Sequence, residues 1–355
     1  MSEQEDRIDK LSKEIFNKPA KDIKYVLVTN YIHEALLKEE LARTGLYQWQ
    51  NVFNGYVRFP RDIKDYNDYD IVQVNLSAQD VPLIGDIRDA IGKNSKTKLI
   101  VNNDYTTEVW GTSFRGPTTL AREIRPADMI FGTEYYQVTA LSELTGRKCY
   151  IIPHPCDVKR LKLLEPVKQK NYLTTIWRRY DNFTYIPHLV VRNHNLITQL
   201  IGYDKKVDRS TWLTTTLFDY VLQGTNCFDF WKQMRESKII YDPFTFHSYN
   251  RSIVECAAFG IPVVGSNRTQ SINICYPFTK VDPFDVLSAR KLIDKLLTDK
   301  EFYKKVVEYA KNASEYYNHL NSQEKYLMAL KESLVEKEAK NEKDKGKNKI
   351  KIKDK

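Results

Sequence analysis

Short apolar runs of four to six residues recur along the chain, each followed by a polar bend and a stretch with helical spacing. A run whose consecutive residues are all apolar has no face to give to water, so both faces of its sheet must be covered. Runs joined through helices return to the same edge of a sheet, which makes neighbouring strands parallel. The first set of predicted strands is 25–28, 70–75, 98–102, 129–131 and 149–152, with helices predicted over 32–43, 81–91 and 134–144. After Pro153 and Pro155 the pattern restarts, with strands predicted at 172–177, 196–201, 239–241 and 261–264 and helices at 228–236, 251–259 and 286–297.

The expected fold class is therefore α/β, with two doubly wound parallel-sheet domains of Rossmann-like character. The first covers 23–157 and the second 172–318, with a basic, proline-containing linker at 158–171. Ahead of them, 1–22 reads as an amphipathic leader helix, with Ile8, Leu11, Ile15 and Phe16 at helical spacing and Pro19 closing it. Behind them, 319–335 is expected to form a C-terminal helix that returns across the first domain. The Lys-rich end, 336–355, has almost no apolar content and is expected to be disordered.

Composition excludes several classes. At 42 % hydrophobic the chain is far too apolar to stay unfolded. Its 13 glycines are about half the usual ~7 % share, and neither a G-x-G-x-x-G fingerprint nor a P-loop occurs, so ordinary dinucleotide dehydrogenases and P-loop NTPases are unlike it. Apolar stretches fall well short of the roughly 18–20 residues that span a bilayer, and the acidic, polar MSEQEDRIDK start is unlike a signal peptide. Five cysteines without C-x-x-C spacing fit a reducing, cytoplasmic compartment. The net charge of +9 points less to nucleic acid than it first suggests, because the nine lysines and four acids of 337–355 supply +5 of it. That tail is a solubilising end or a polybasic arm for anionic lipid or nucleic acid.

In open parallel sheets ligands bind beyond the carboxyl ends of the strands, so the informative residues are those just after each run. After the strand at 239–241 comes a polar loop, a nine-residue helix, Gly260, and another strand. Ser248 or Asn250 is placed to cap that helix, whose free N–H groups and positive dipole end suit a phosphate. Arg251 and Glu255 stand four apart on one helix face. By default such a pair is solvent-exposed and worth about 0.2–0.5 kcal/mol. Here arginine precedes glutamate, the poorer order, and a cation in the first turn opposes the dipole, so Arg251 is better explained by an arriving anion.

The segment Asp242–Ser266 resembles the donor-binding motif of GT-B glycosyltransferases, notably the large retaining family whose two glutamates precede an A-x-G-x-P-V-V turn. Glu255 matches the second glutamate, which in that family holds the nucleotide ribose, and Ala258-Phe-Gly-Ile-Pro-Val-Val264 matches the turn. His247 stands at the first glutamate position. Ile151-Ile-Pro-His-Pro-Cys-Asp157 is similar to the run that ends the first domain in these enzymes. Arg178 and Arg179 follow the first strand of the second domain, where the family binds the donor diphosphate. Phage DNA β-glucosyltransferases, also GT-B, offer a second likeness: Asn67-Asp-Tyr-Asp70 before a strand, Arg251 and Glu255 on the donor helix, and Asp104 where those enzymes carry their catalytic aspartate.

The resemblance implies two Rossmann-like domains facing across a cleft and transfer of a sugar from a nucleotide-sugar, UDP-glucose favoured, to a hydroxyl. Arg178, Arg179, His247, Arg251 and Glu255 are the donor-binding candidates. Asp104 is the candidate base and Glu108 the reserve. Glu255 with its turn fits a retaining course and His247 with Asp104 an inverting one; both stay open. The expected acceptor is a glycan or lipid-linked sugar, with a hydroxymethylated base in DNA as the alternative and a catalytically silent nucleotide- or glycan-binding module as the rival from another class. Peripheral membrane contact through the Lys-rich tail is a further expectation. No cofactor is expected beyond the nucleotide-sugar co-substrate, and no motif requires Mg²⁺. Asp68 and Asp70 read as turn residues ahead of a strand, and His154 as structural.

Overall fold

The computed structural model describes residues 2–30, 47–76, 80–92, 95–103, 110, 116–176, 187–192, 194–202, 218–223 and 227–353, with side chains described as far as 340. The helix expected at 32–43 lies outside these residues. The described chain forms two compact units, one running to Pro155 and resuming at His319, the other from Cys156 to Asn318.

In the first unit, β1 (Tyr25–Val28), β2 (Tyr56–Arg58), β3 (Ile71–Asn75), β4 (Lys98–Asn103), β5 (Met129–Gly132) and β6 (Tyr150–Ile151) form one parallel sheet in the order β2-β1-β3-β4-β5-β6. The register pairs Val26 with Val72 and Val72 with Leu99. One face of the pleat presents Val26, Val28, Val72, Val74, Leu99 and Val101 to α3 (Leu83–Ile91), α4 (Pro117–Ile124) and α5 (Tyr135–Thr145). Alternate residues point the other way. There Gln73 and Phe131 meet Tyr326 of α12 (His319–Lys353), and Trp49 and Phe53, on α2 (Gln48–Val52) and at its end, complete an aromatic cluster with ring centroids 5.0–5.6 Å from Tyr326.

The amino-terminal helix α1 (Glu3–Phe16) opens with a Ser2–Glu5 capping box and lies along α12, where Arg7 pairs with Glu324 and Lys331 with Glu14. It ends at Phe16, before Pro19, because Asn17 takes the left-handed C-cap conformation. Helix α12 begins at His319 and runs on to Lys353, into the Lys-rich end at 336–355. The segment is rich in Lys, carries several Glu, and holds one glycine and no proline, a composition that favours helix.

In the second unit, β7 (Tyr172–Ile176), β8 (Ile197–Gly202), β9 (Tyr220–Gln223), β10 (Ile239–Asp242), β11 (Val263–Ser266) and β12 (Lys280–Val281) form a second parallel sheet, ordered β12-β11-β10-β7-β8-β9. Around it stand α6 (Val158–Lys162), α7 (Cys227–Glu236), α8 (Arg251–Phe259), α9 (Gln270–Cys275), α10 (Val286–Thr298) and α11 (Lys300–Ala313). The order of the strands reverses between β7 and β10, which pair directly through Ile239–Leu173 and Tyr241–Thr175. Such a switch point leaves a crevice beyond the strand ends, the usual place for a ligand in a doubly wound sheet.

Both sheets agree with the α/β expectation, and the helix predicted at 251–259 has those bounds. The strands that the apolar pattern does not predict are β2, β9 and β12. Each has two to four residues and lies at a sheet edge.

Candidate functional site

The segment after β10 is held by the neighbouring loop between β11 and α9. Ser248 N–H donates to Arg268 O at 3.2 Å, and Gln270 N–H to Ser248 O at 2.7 Å. Arg268 Nη1 donates to Thr245 O at 2.8 Å, and Ser271 Oγ to the carbonyls of Tyr249 and Asn250 at 2.6 and 2.8 Å. Within the second of these segments, a Cβ added at Gly265 of β11 would run into the Ile272 side chain. The loop 243–250 is thus fixed mainly through its backbone, and most of its residues are buried, with Phe246 and His247 half-exposed.

Helix α8 starts at Asn250, whose φ of 55° and ψ of 88° lie in the left-handed region. Asn is among the few L-residues that adopt it readily. Of the two expected caps, Asn250 is the N-cap residue, and its side chain makes no capping hydrogen bond. Its backbone is turned into the left-handed region, and its buried Nδ2 has no hydrogen-bond partner. The partial positive charge at the amino end of the helix is therefore not met by the Asn250 side chain. At the other end Gly260, with φ of 74°, stops the helix, and a side chain there would collide with Lys311.

Arg251 and Glu255 form an ion pair on this helix, Nε to Oε1 at 3.1 Å, with the two side chains 10 % and 0 % exposed. The solvated pair that the spacing alone would give is therefore excluded. Burial alone would pull the Arg251 pKa down, but Cys156, Glu255 and Tyr249 more than offset it, and the guanidinium is held above its ordinary value. One of its nitrogens, Nη1, is buried and makes no hydrogen bond. A buried donor without an acceptor costs about 1–3 kcal/mol, recovered when an acceptor binds. A fixed cation with a spare donor at a helix start can bind a phosphate oxygen, and the adjacent carboxylate can accept from hydroxyl groups.

Among the expected donor residues, the structure brings Arg251 and Glu255 together and places His247 three residues before the helix cap. Arg178, Arg179, Asp104 and Glu108 lie outside the described residues. Asn102 and Asn103, which end β4 just before Asp104, are fully buried, and Asn102 Nδ2 donates to Asn75 Oδ1 at 3.3 Å. Sequence reasoning passes over Asp80, which beyond β3 accepts from Thr29 Oγ1 at 2.7 Å and Asn30 N–H at 2.6 Å. It also passes over Arg268 and Ser271, whose only signal is their position after β11.

Asp70 joins Lys18 Nζ at 2.8 Å and the Lys24 N–H at 2.7 Å ahead of β3, in keeping with turn chemistry. His154 accepts from Trp49 Nε1 at 3.2 Å inside the first unit. All five cysteines are buried free thiols. Among the described residues no group of three or more His, Cys, Asp or Glu is placed to hold a metal ion, and no helix is long and apolar enough to cross a membrane.

No family model and no curated protein matches the sequence. Solved structures match the fold over most of its length. A trehalose-6-phosphate synthase, OtsA, superimposes with a TM-score of 0.65 at 14 % identity, covering 87 % of this chain and 99 % of that one. Anabaena HepE in complex with UDP and glucose gives 0.65 at 11 % identity, over 87 % and 100 %. Sucrose-phosphate synthase from Thermosynechococcus elongatus gives 0.62 at 12 % identity, over 89 % and 99 %. At these identities the likeness is one of architecture, two parallel sheets with flanking helices.

Proposed function

With the GT-B fold as the premise, we propose that this protein transfers a hexosyl group from a nucleotide-sugar, UDP-glucose foremost, to a hydroxyl of an acceptor glycan or lipid-linked sugar. The observation that carries this reading is the buried Arg251–Glu255 pair, with its spare guanidinium donor, in the first turns of α8 beyond the strand switch point. A nucleoside diphosphate has the two chemistries this arrangement accepts: phosphate oxygens for Arg251 and the helix N–H groups, and ribose hydroxyls for Glu255. HepE is known with UDP and with UDP-glucose, and an E. coli neighbour with UDP-2-fluoro glucose, which favours uridine as the base.

In this reading the bond from the anomeric carbon to the diphosphate oxygen breaks, and Arg251 with Arg178 or Arg179 stabilises the charge left on the leaving group. The anomeric carbon bonds to the acceptor oxygen, and Asp104 takes the acceptor proton. His247 lies on the sugar side of the donor.

The test is a thermal-shift panel of UDP-, GDP-, ADP- and dTDP-sugars on the wild type and on Glu255→Gln. A donor at about 100 times its Kd adds about 2.7 kcal/mol, so the UDP-sugars should raise the melting temperature of the wild type and leave the variant unmoved. A cooperatively folded wild type that responds to none of the four families would overturn the proposal.

A further inference from the structure

The first unit carries a cavity of about 460 Å³ at the end of its sheet where the strands begin. Its walls are the turn before β5, the turn before β6 and one face of α12, and it is lined by Arg125, Arg147, Lys148, Lys337 and Lys340 against a single acid, Glu336. The nearby carboxylate that could neutralise it is already committed: Asp128 is bonded at 2.6 Å to both Arg88 and Lys337. Lys148 pairs with Glu332. None of Arg125, Arg147 and Lys340 has a carboxylate in ion-pairing contact among the described residues.

Arg147 is the built part of the site. Its guanidinium is half-buried and fixed by three backbone carbonyls, those of Arg125, Ala127 and Asp128, at 3.0, 2.6 and 3.0 Å. Carbonyls orient a cation without cancelling its charge. Burial pulls its pKa below the ordinary arginine value and outweighs the opposing pull of Cys149, Asp128, Tyr150 and Glu336 nearby. Beyond Lys340 the same helix continues through the lysine-rich 343–353, so positive charge extends past the cavity.

We propose that this cavity binds a phosphate-bearing anion, with Arg147 as its fixed cation and Arg125 and Lys340 closing on the ligand from either wall. Phosphate matches it better than carboxylate because several cations converge from three chain segments and a tetrahedral group offers acceptors in as many directions. The group can arrive on a soluble phosphorylated compound or on an anionic lipid headgroup. The site uses no residue of the α8 arrangement, so it stands or falls apart from the donor reading.

The experiment uses the full chain and two probes: inorganic pyrophosphate by titration calorimetry, and phosphatidylcholine vesicles with and without phosphatidylglycerol by co-sedimentation. Arg125→Ala/Lys340→Ala removes two cations without an ion-pair partner, and Lys343→Gln/Lys345→Gln/Lys347→Gln lowers the charge only beyond the cavity. Each basic side chain near an anionic surface contributes about fivefold in affinity, so the double variant should weaken binding by about 25-fold, with its urea midpoint and UDP-glucose response unchanged. Pyrophosphate binding that the double variant weakens identifies a soluble phosphate as the source, and binding confined to phosphatidylglycerol vesicles and weakened likewise a headgroup; either supports the site, whereas pyrophosphate binding untouched by the double variant belongs elsewhere and overturns it. No binding of either probe overturns it. So does a double variant that binds as the wild type does while the lysine variant loses binding.

Discussion

Arg251 and Glu255 are bound to each other's fate by burial. Removing one partner of a buried pair leaves the other charge uncompensated, at a cost of about 3–5 kcal/mol. Glu255→Ala is therefore expected to lower the urea midpoint as well as any nucleotide response, against the expectation, natural for an exposed pair, that it would spare the fold. Arg251→Met/Glu255→Leu replaces both charges with apolar groups and should recover most of the stability while leaving nucleotide binding lost. Denaturation and nucleotide titration of the three proteins check this, and a double variant that still binds UDP-glucose would remove both residues from the site. His188 gives a second prediction at this scale. Buried beside Phe218, it has its pKa pushed down to about 4 by desolvation. The unfolded chain binds the proton more readily, so stability is full above about pH 6.5 and falls by about 3 kcal/mol as pH drops to 4. His188→Phe should flatten that part of a stability–pH profile measured by urea denaturation.

The element that matters most to the first unit is α12. Tyr326 is fully buried among Trp49, Phe53 and Phe131, and its hydroxyl donates to Gln73 Oε1 at 3.0 Å in the centre of β3. Tyr326→Ala opens a cavity in that cluster and should cost about 3–5 kcal/mol. Tyr326→Phe keeps the ring and orphans the Gln73 oxygen, for about 1–3 kcal/mol. Equal losses in calorimetry would mean that the hydrogen bond, and not the packing, fastens the helix. Strands and helices with four or more consecutive periodic residues are legible in the amino-acid sequence, because burial on both faces of a strand and on one face of a helix leaves a local pattern. The edge strands β2, β9 and β12 are not, β12 having two residues and β2 exposing two of its three, whereas β6, also at an edge, is announced by the apolar run 149–152.

At the scale of the whole molecule, each unit has its own apolar core, so a ligand should stabilise the unit that holds it. Hydrogen exchange with saturating UDP-glucose is expected to show added protection over 242–271, with β3 and β4 unchanged. Protection centred on β3 and β4 instead would move the nucleotide to the first unit.

The sequence by itself determined the parallel α/β class, the restart after Pro155, and the helix from Arg251 to Phe259 with its glycine stop. These rest on apolar periodicity, caps and breakers, all of which act within a few residues of chain. Only the tertiary structure decided that Arg251 and Glu255 are buried. Cys156 and Tyr249 stand near Arg251, and Arg268 and Ser271 hold the loop that leads into the helix. The tertiary structure likewise decided that the Asn250 side chain does not cap α8, and that Arg125, Arg147 and Lys340 share one cavity. Such environments are made by segments far apart in the chain, and no local pattern of residues encodes which of them will meet.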